Sequence, residues 1–332
     1  MASRLSFLFW NEMPDDPLLD AAEAGELVTT AGIMAQVERL MMDARTRAAM
    51  NTFHTERLGL DALDALTKDV ELFPAMSDTL GAAMRADILR TLEELTFGTA
   101  GDYRDVFDTR VAFVDRELAG IYGVTAPASG VARVELPADG LRLGLLGKAG
   151  LLAQNAHVKE TSPTLRGKFV RERVLCQSIP APPNNVVTTI PEPNPNAPTM
   201  RERLAAHREV DSCAGCHSLM DPIGLAFENF DALGVYRATD DGHELDTSGD
   251  IDGMAFQDPR ELAVLLRGLP GVNECLVRQL YRYAVAHVET AGENPVIVGL
   301  TQQFESSGRR FPELLRSVVV SDGFRYAIKE AP

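Results

Sequence analysis

Along the first third of the chain, apolar residues return at intervals of three and four. Ile33, Val37, Leu40, Met41, Ala44 and Ala48 recur after Thr29-Thr30 with Arg and Glu between them, the pattern of an amphipathic helix. Met84, Ile88, Leu92 and Leu95 repeat it between Ser77 and Gly98, and Phe113 to Tyr122 reads as a shorter third helix. The period then changes. Val131 to Leu136 alternates in twos, Ala138-Asp139-Gly140 is a turn, and Leu141 to Leu146 returns, which predicts a hairpin. Thr164 to Cys176 is helical again and basic, with Arg166, Lys168, Arg171 and Arg173. From Pro180 to Pro198 Pro and Asn dominate, predicting an extended linker or a belt laid over a surface. Thr199 caps a helix through His207. A short amphipathic piece follows from Ile223 to Phe230, then a polar hairpin starting at Tyr236-Arg237. In the helical end, Asn273 caps a helix bearing Leu276, Val277, Leu280, Tyr281, Ala284 and Val285. Pro295 and Pro312 stand where helices start. The expected fold is mainly α with short β-hairpins. It divides into a helical domain over 1–124, a segment 125–238 containing the Pro-rich linker 180–198, and a C-terminal helical module over 239–332.

Composition bounds the partners. The chain has 332 residues, 45 % of them hydrophobic but only 6 % aromatic, which suits helices rich in Ala and Leu. A net charge of −16 argues against nucleic acid or an anionic membrane as partner. It favours solubility, and it offers a field to a basic redox partner. No run approaches the roughly 18 apolar residues of a membrane span. The block Leu5 to Trp10 is too short for the apolar region of a signal peptide and lacks a cleavage site.

The chemistry concentrates in Cys213-Ala214-Gly215-Cys216-His217. Cys-x-x-Cys-His is the attachment signature of a c-type haem. Two thiols three positions apart, set on a tight turn, each add to one porphyrin vinyl group, and the following imidazole binds the iron from one side. Ala214 and Gly215 are small, so the backbone approaches the macrocycle closely. A thioredoxin-like dithiol wants a βαβ setting that is not visible here, and a structural zinc site wants a second paired motif that the sequence lacks. The expectation is therefore one covalent haem c. In bacteria this attachment takes place outside the cytoplasmic membrane, so the chain is expected to be periplasmic or otherwise extracytoplasmic. Its signal peptide would lie upstream, and Met1 would not be the biological start. Cys176 and Cys275, 99 residues apart in apolar settings, fit either a disulfide or two buried thiols.

His217 is the expected proximal ligand. For the sixth position the candidates are Met220, Met254, His157, His207 and His243. Met220 is three residues from His217 on the same side of the ring, and His207 belongs to the approach helix. His157 is placed ahead of Met254, making His217 and His157 the expected metal ligands. Arg166 and Arg171 are candidates to hold the haem propionates, against the plainer reading of a solvated helix face. Gly144 to Gly150 fails as a phosphate loop, because its glycines are wrongly spaced and no Ser or Thr follows Lys148. The acidic stretch Asp240 to Gly253 does not match an EF-hand and reads as a solvated turn. His54 reads as a surface or satisfied core histidine, and nothing in 1–124 announces a reaction.

Several segments carry a resemblance: Ser3 to Trp10 with Met13-Pro14-Asp15-Asp16, Thr161-Ser162-Pro163 with Arg166-Gly167, Leu175-Cys176-Gln177 with Pro180-Ala181-Pro182-Pro183, and Cys213 through Arg237 including Glu228-Asn229-Phe230-Asp231. On these the chain resembles a bacterial c-type cytochrome family built of tandem domains of unknown function, first catalogued in planctomycetes and frequent in myxobacteria. The resemblance covers nearly the whole chain as three consecutive modules. It implies a cytochrome-c-like haem region and an exported haem protein engaged in electron transfer. Family members are typically longer at the N-terminus. The leading expectation is a monohaem electron-transfer cytochrome. A peroxidase-like haem oxidoreductase with an open axial site is the first alternative, and a surface binding module in which haem is structural is the second.

Overall fold

A computed structural model of the chain describes residues 1–98, 101–180, 190, 192–209 and 211–326, without the side chains of 206–209, 211 and 212. The fold is mainly helical, and among the described residues the strands form three separate two-stranded antiparallel sheets. Most of the expected linker 180–198 falls outside the described residues. Among the described residues no helix is long and apolar enough to cross a membrane.

The chain forms two compact units, each discontinuous in sequence. The first gathers Met1–Gly59 with the described parts of Leu92–Arg104 and Pro270–Pro332. Its N-terminal helix, Ala2–Trp10, buries Leu5, Leu8, Phe9 and Trp10 against the helices Thr30–Met42, Ala44–Leu58 and Pro270–Val285. The Trp10 indole donates to the Leu40 carbonyl at 3.2 Å, and the Arg45 guanidinium lies 3.5 Å over its ring. Asp15 accepts from the Leu18 N–H to cap the next helix, and Arg39 grips both its carboxylate oxygens at 2.7 and 2.9 Å.

The apolar rhythm from Ile33 to Ala48 predicted one helix, but the chain makes two. Asp43 turns extended (φ −78°, ψ 140°) and its carboxylate accepts from the Arg45 N–H, capping a new helix. The register shifts there, so Ala44 and Ala48 are exposed while Thr46, Ala49, Met50 and Phe53 are buried. Asn273 likewise is no cap. It sits inside Pro270–Val285, buried, donating to Glu305 at 2.8 Å. Pro295 and Pro312 do begin helices, Asn294–Ser306 and Phe311–Val320.

The second unit comprises Leu60–Thr91 and Asp105–Leu269. Here the predicted hairpin is replaced by a distant pairing. The strand Ala132–Glu135 pairs with Val111–Val114, not with Leu141–Leu146. Phe113 is thus in a strand, and the helix begins only at Arg116, capped by Asp115. A buried polar knot fixes this pairing. Lys148, 2 % exposed, donates to Asp87 at 2.9 Å, to Thr91 at 2.9 Å and to the Val111 carbonyl at 2.7 Å. Asp87 also accepts from the Phe113 N–H and the Tyr122 hydroxyl. Such a satisfied network specifies one arrangement of its elements. Residues 141–147 instead wrap into turns, with Gly144 at φ 62° against the Phe107 carbonyl, where any Cβ would collide.

The acidic stretch makes two tight hairpins, Thr239–Asp240 with His243–Glu244 and Gly249–Ile251 with Met254–Phe256. Asp241-Gly242 and Asp252-Gly253 both have positive φ at each position, the two-residue turn that Asp-Gly favours.

Candidate functional site

Cys213, Cys216 and His217 lie on one continuous helix, Asp211–Leu225, rather than on a tight turn. Helical periodicity makes them positions i, i+3 and i+4, which share a face. Both sulfurs and the imidazole are therefore presented together, half-buried. Gly215 between them is exposed, and a Cβ there would meet nothing within 4 Å. Cys213 and Cys216 remain thiols, whereas Cys176 and Cys275 form a disulfide.

Next on that face comes a partner the sequence did not announce. Asp221, four residues after His217 and fully buried, accepts from the His217 Nδ1–H at 2.9 Å through Oδ2. Its other oxygen accepts from the Thr164 hydroxyl at 2.8 Å. Thr164 arrives on the helix Pro163–Phe169, whose N–H of Leu165 is capped by Ser162. The two helices touch backbone to backbone. A Cβ on Gly167 would stand 1.8 Å from the Met220 carbonyl oxygen, and one on Gly224 would stand 1.8 Å from that of Pro163. Only glycine permits both approaches, and together they bring Thr164 to Asp221.

The frame is completed by a buried cation. The Arg166 guanidinium donates to the carbonyls of Phe227 (2.9 Å), Phe230 (3.0 Å) and Asp231 (2.8 Å) and pairs with Glu228 at 3.4 Å. Burial pulls its pKa down to about 10 and pushes that of Glu228 up. Glu228 accepts from Thr161 at 2.8 Å and from Arg237 at 3.2 Å. The guanidinium of Arg166 thus serves the chain that follows the motif helix. Arg171 donates to the Leu219 carbonyl at 3.0 Å, to Gln177 at 2.9 Å and to the Asp252 carboxylate at 2.7 Å. Both arginines, expected at haem propionates, are engaged within the protein in this structure.

Through Arg171 the hairpin Gly249–Phe256 is tied to the motif helix, and Gly249 packs on the Pro222 carbonyl. Met254 stands opposite Ile251 on this hairpin. It shares the face of Ile251 and Phe256, which are fully buried, yet is itself 36 % exposed. His157 is exposed on a loop held elsewhere, its N–H on the Glu160 carbonyl and its own carbonyl on Lys68. Met220 is buried and His243 exposed in its hairpin. The side chain of His207 lies outside the described residues. The geometry thus assembles Cys213, Cys216, His217 and Arg171 around one helix, with Met254 tied to it more directly than His157.

This donor set fits a covalently held haem. Two thiols in reach of one prosthetic group stand beside an imidazole held through Nδ1 by a buried carboxylate. Among the described residues no group of three or more His, Cys, Asp or Glu could hold a metal ion by itself. A haem iron needs no such group, because the porphyrin brings four of its ligands.

Sequence comparison finds three consecutive modules. Residues 1–124 match a family described as a protein of unknown function (DUF1592). Residues 142–240, with the Cys-x-x-Cys-His helix, match a protein of unknown function (DUF1588), and residues 252–324 match a protein of unknown function (DUF1585). The chain carries these modules in tandem. Comparison with curated proteins and with solved structures returned no match.

Proposed function

We propose that this chain is an exported monohaem c-type cytochrome that transfers electrons to or from a redox partner protein. One observation carries the reading: Cys213, Cys216 and His217 share one helix face, with His217 held through Nδ1 by a buried carboxylate. Cys213 and Cys216 would hold the haem as thioethers, each S–H adding across a vinyl double bond, sulfur to one carbon and hydrogen to the other. That addition requires thiols, and the pairing of Cys176 with Cys275 leaves the motif pair in that state. His217 would bind the iron through Nε2. When bound, the haem supplies a one-electron couple. A disulfide also accords with a compartment outside the cytoplasm.

For the sixth position the geometry supports Met254 above His157, reversing the order that chain position alone suggested. Its hairpin is braced on the motif helix through Arg171 and Gly249. A thioether or imidazole there gives a closed iron suited to electron transfer, whereas an open position would admit peroxide.

The test is an oxidised and reduced optical spectrum of protein exported alongside the haem-attachment machinery, with a denatured pyridine adduct and a carbon monoxide titration. A covalent, low-spin haem unmoved by carbon monoxide is expected. Loss of that low-spin form in Met254→Ala but not in His157→Ala would assign the sixth ligand. A covalent haem that binds carbon monoxide readily would move the reading to peroxidase-like catalysis. No covalent haem would end the cytochrome reading.

A further inference from the structure

We propose that Asp221 is a positioning residue that strengthens the electron donation of His217 and so holds the haem couple at a low potential. This inference rests on the haem reading above. Three observations carry it. The Nδ1–H of His217 meets Asp221 Oδ2 at 2.9 Å, Asp221 is wholly buried, and its second oxygen is held by Thr164 at 2.8 Å. Its two oxygens thus meet a ring nitrogen and a hydroxyl donor, one on each side. A charged acceptor makes a stronger hydrogen bond than a neutral carbonyl, and burial strengthens it further.

The consequence passes through the imidazole ring. A strong acceptor at Nδ1 draws that proton outward and makes Nε2 more basic, as outer-shell carboxylates do for other metal-bound histidines. A more basic ligand, with a negative charge one ring away, favours the more positive oxidation state of the iron. Reduction adds one electron from the redox partner, and the Nδ1 proton stays between His217 and Asp221. The arrangement is rigid, because His217 and Asp221 share one helix and Thr164 is fixed by the close crossing at Gly167 and Gly224.

Potentiometric titration of the exported, haem-loaded protein tests this, comparing the parent chain with Asp221→Asn and Thr164→Val. Asp221→Asn keeps the size of the acceptor and removes its charge. Its midpoint should rise enough to change the ferrous-to-ferric ratio at a fixed potential at least tenfold, about 59 mV for a one-electron couple. Thr164→Val should shift the midpoint in the same direction by less. An unmoved midpoint in haem-loaded Asp221→Asn overturns the proposal. Should that variant fail to load haem, Thr164→Val decides: a raised midpoint supports the proposal and an unmoved one overturns it. Absence of covalent haem from the parent chain would remove the cytochrome reading and this inference with it. An unmoved midpoint in loaded variants removes this inference alone.

Discussion

His54 is buried in the first unit among Phe53 and Phe311, with ring centroids 5.0 and 5.6 Å away, and Tyr103 stacked at 6.5 Å. Neither ring nitrogen has a hydrogen-bond partner among the described residues. Sequence reasoning expected a surface or satisfied core histidine, and no local pattern marks the difference, because Tyr103 and Phe311 come from distant parts of the chain. Burial, reinforced by the charge of Arg57, pushes its pKa well below the usual 6.5. The unfolded chain therefore takes up a proton that the folded one refuses, so stability present above pH 6.5 is lost as the pH falls. Denaturant melts of the parent and His54→Leu should diverge below that pH, the variant losing less, by up to about 1.4 kcal/mol per pH unit. Parallel curves would show that His54 protonates without cost. Glu289 acts in a lower window. Arg282 and Arg278 hold its carboxylate down to about 2, so its contribution is lost only as the pH falls from 4.5 towards 2. Asp221 was equally hidden. It stands in the sequence four residues after His217, but that spacing has meaning only once the motif is known to be helical.

At the scale of elements, the crossing of Pro163–Phe169 over Asp211–Leu225 depends on two glycines whose replacement has a definite sign. Gly167→Ala and Gly224→Ala each set a methyl group into a backbone carbonyl and should destabilise by about 3 kcal/mol or more, as overpacking does. Gly215→Ala, in open space on an exposed helical position, should instead stabilise by up to about 1 kcal/mol. Denaturant midpoints of the three variants check the contrast, and equal losses at all three would show that the crossing is not special. Much of this level was legible. Mainly helical structure, small hairpins, the starts at Pro295 and Pro312 and the Thr199 cap all follow from local rules, and Thr199 does bond Glu202 at its N–H and hydroxyl. What failed has two causes, one non-local and one local. The partner of Ala132–Glu135 is chosen by the Lys148–Asp87 knot, and the break at Asp43 is chosen by a cap stronger than the apolar rhythm. Several residues in the segments that carry the resemblance, Thr161, Arg166, Gly167, Glu228 and Arg237, build the hydrogen-bonded, close-packed frame around the motif helix.

For the whole molecule, the disulfide closes a loop between positions 176 and 275. In the chain-entropy description a loop of that length stabilises by up to about 4 to 5 kcal/mol. Reduction should lower the thermal midpoint clearly, and Cys176→Ser/Cys275→Ser should match the reduced protein. A midpoint indifferent to reductant would show that the link constrains little in the unfolded chain. The family modules follow sequence order, whereas the compact units do not. The first unit joins the opening residues to those after Pro270, across the stretch that builds the second. That interleaving fixes a timetable. As the chain is made from its N-terminus, Ala2–Trp10 emerges long before Pro270–Val285, the helix it packs against. The interval spans the whole synthesis of the Cys-x-x-Cys-His segment. The first unit therefore has to wait, its apolar helices uncovered, while the second has all its residues in hand. The half of the molecule with the motif can be finished first, and the half that opens the sequence is finished last.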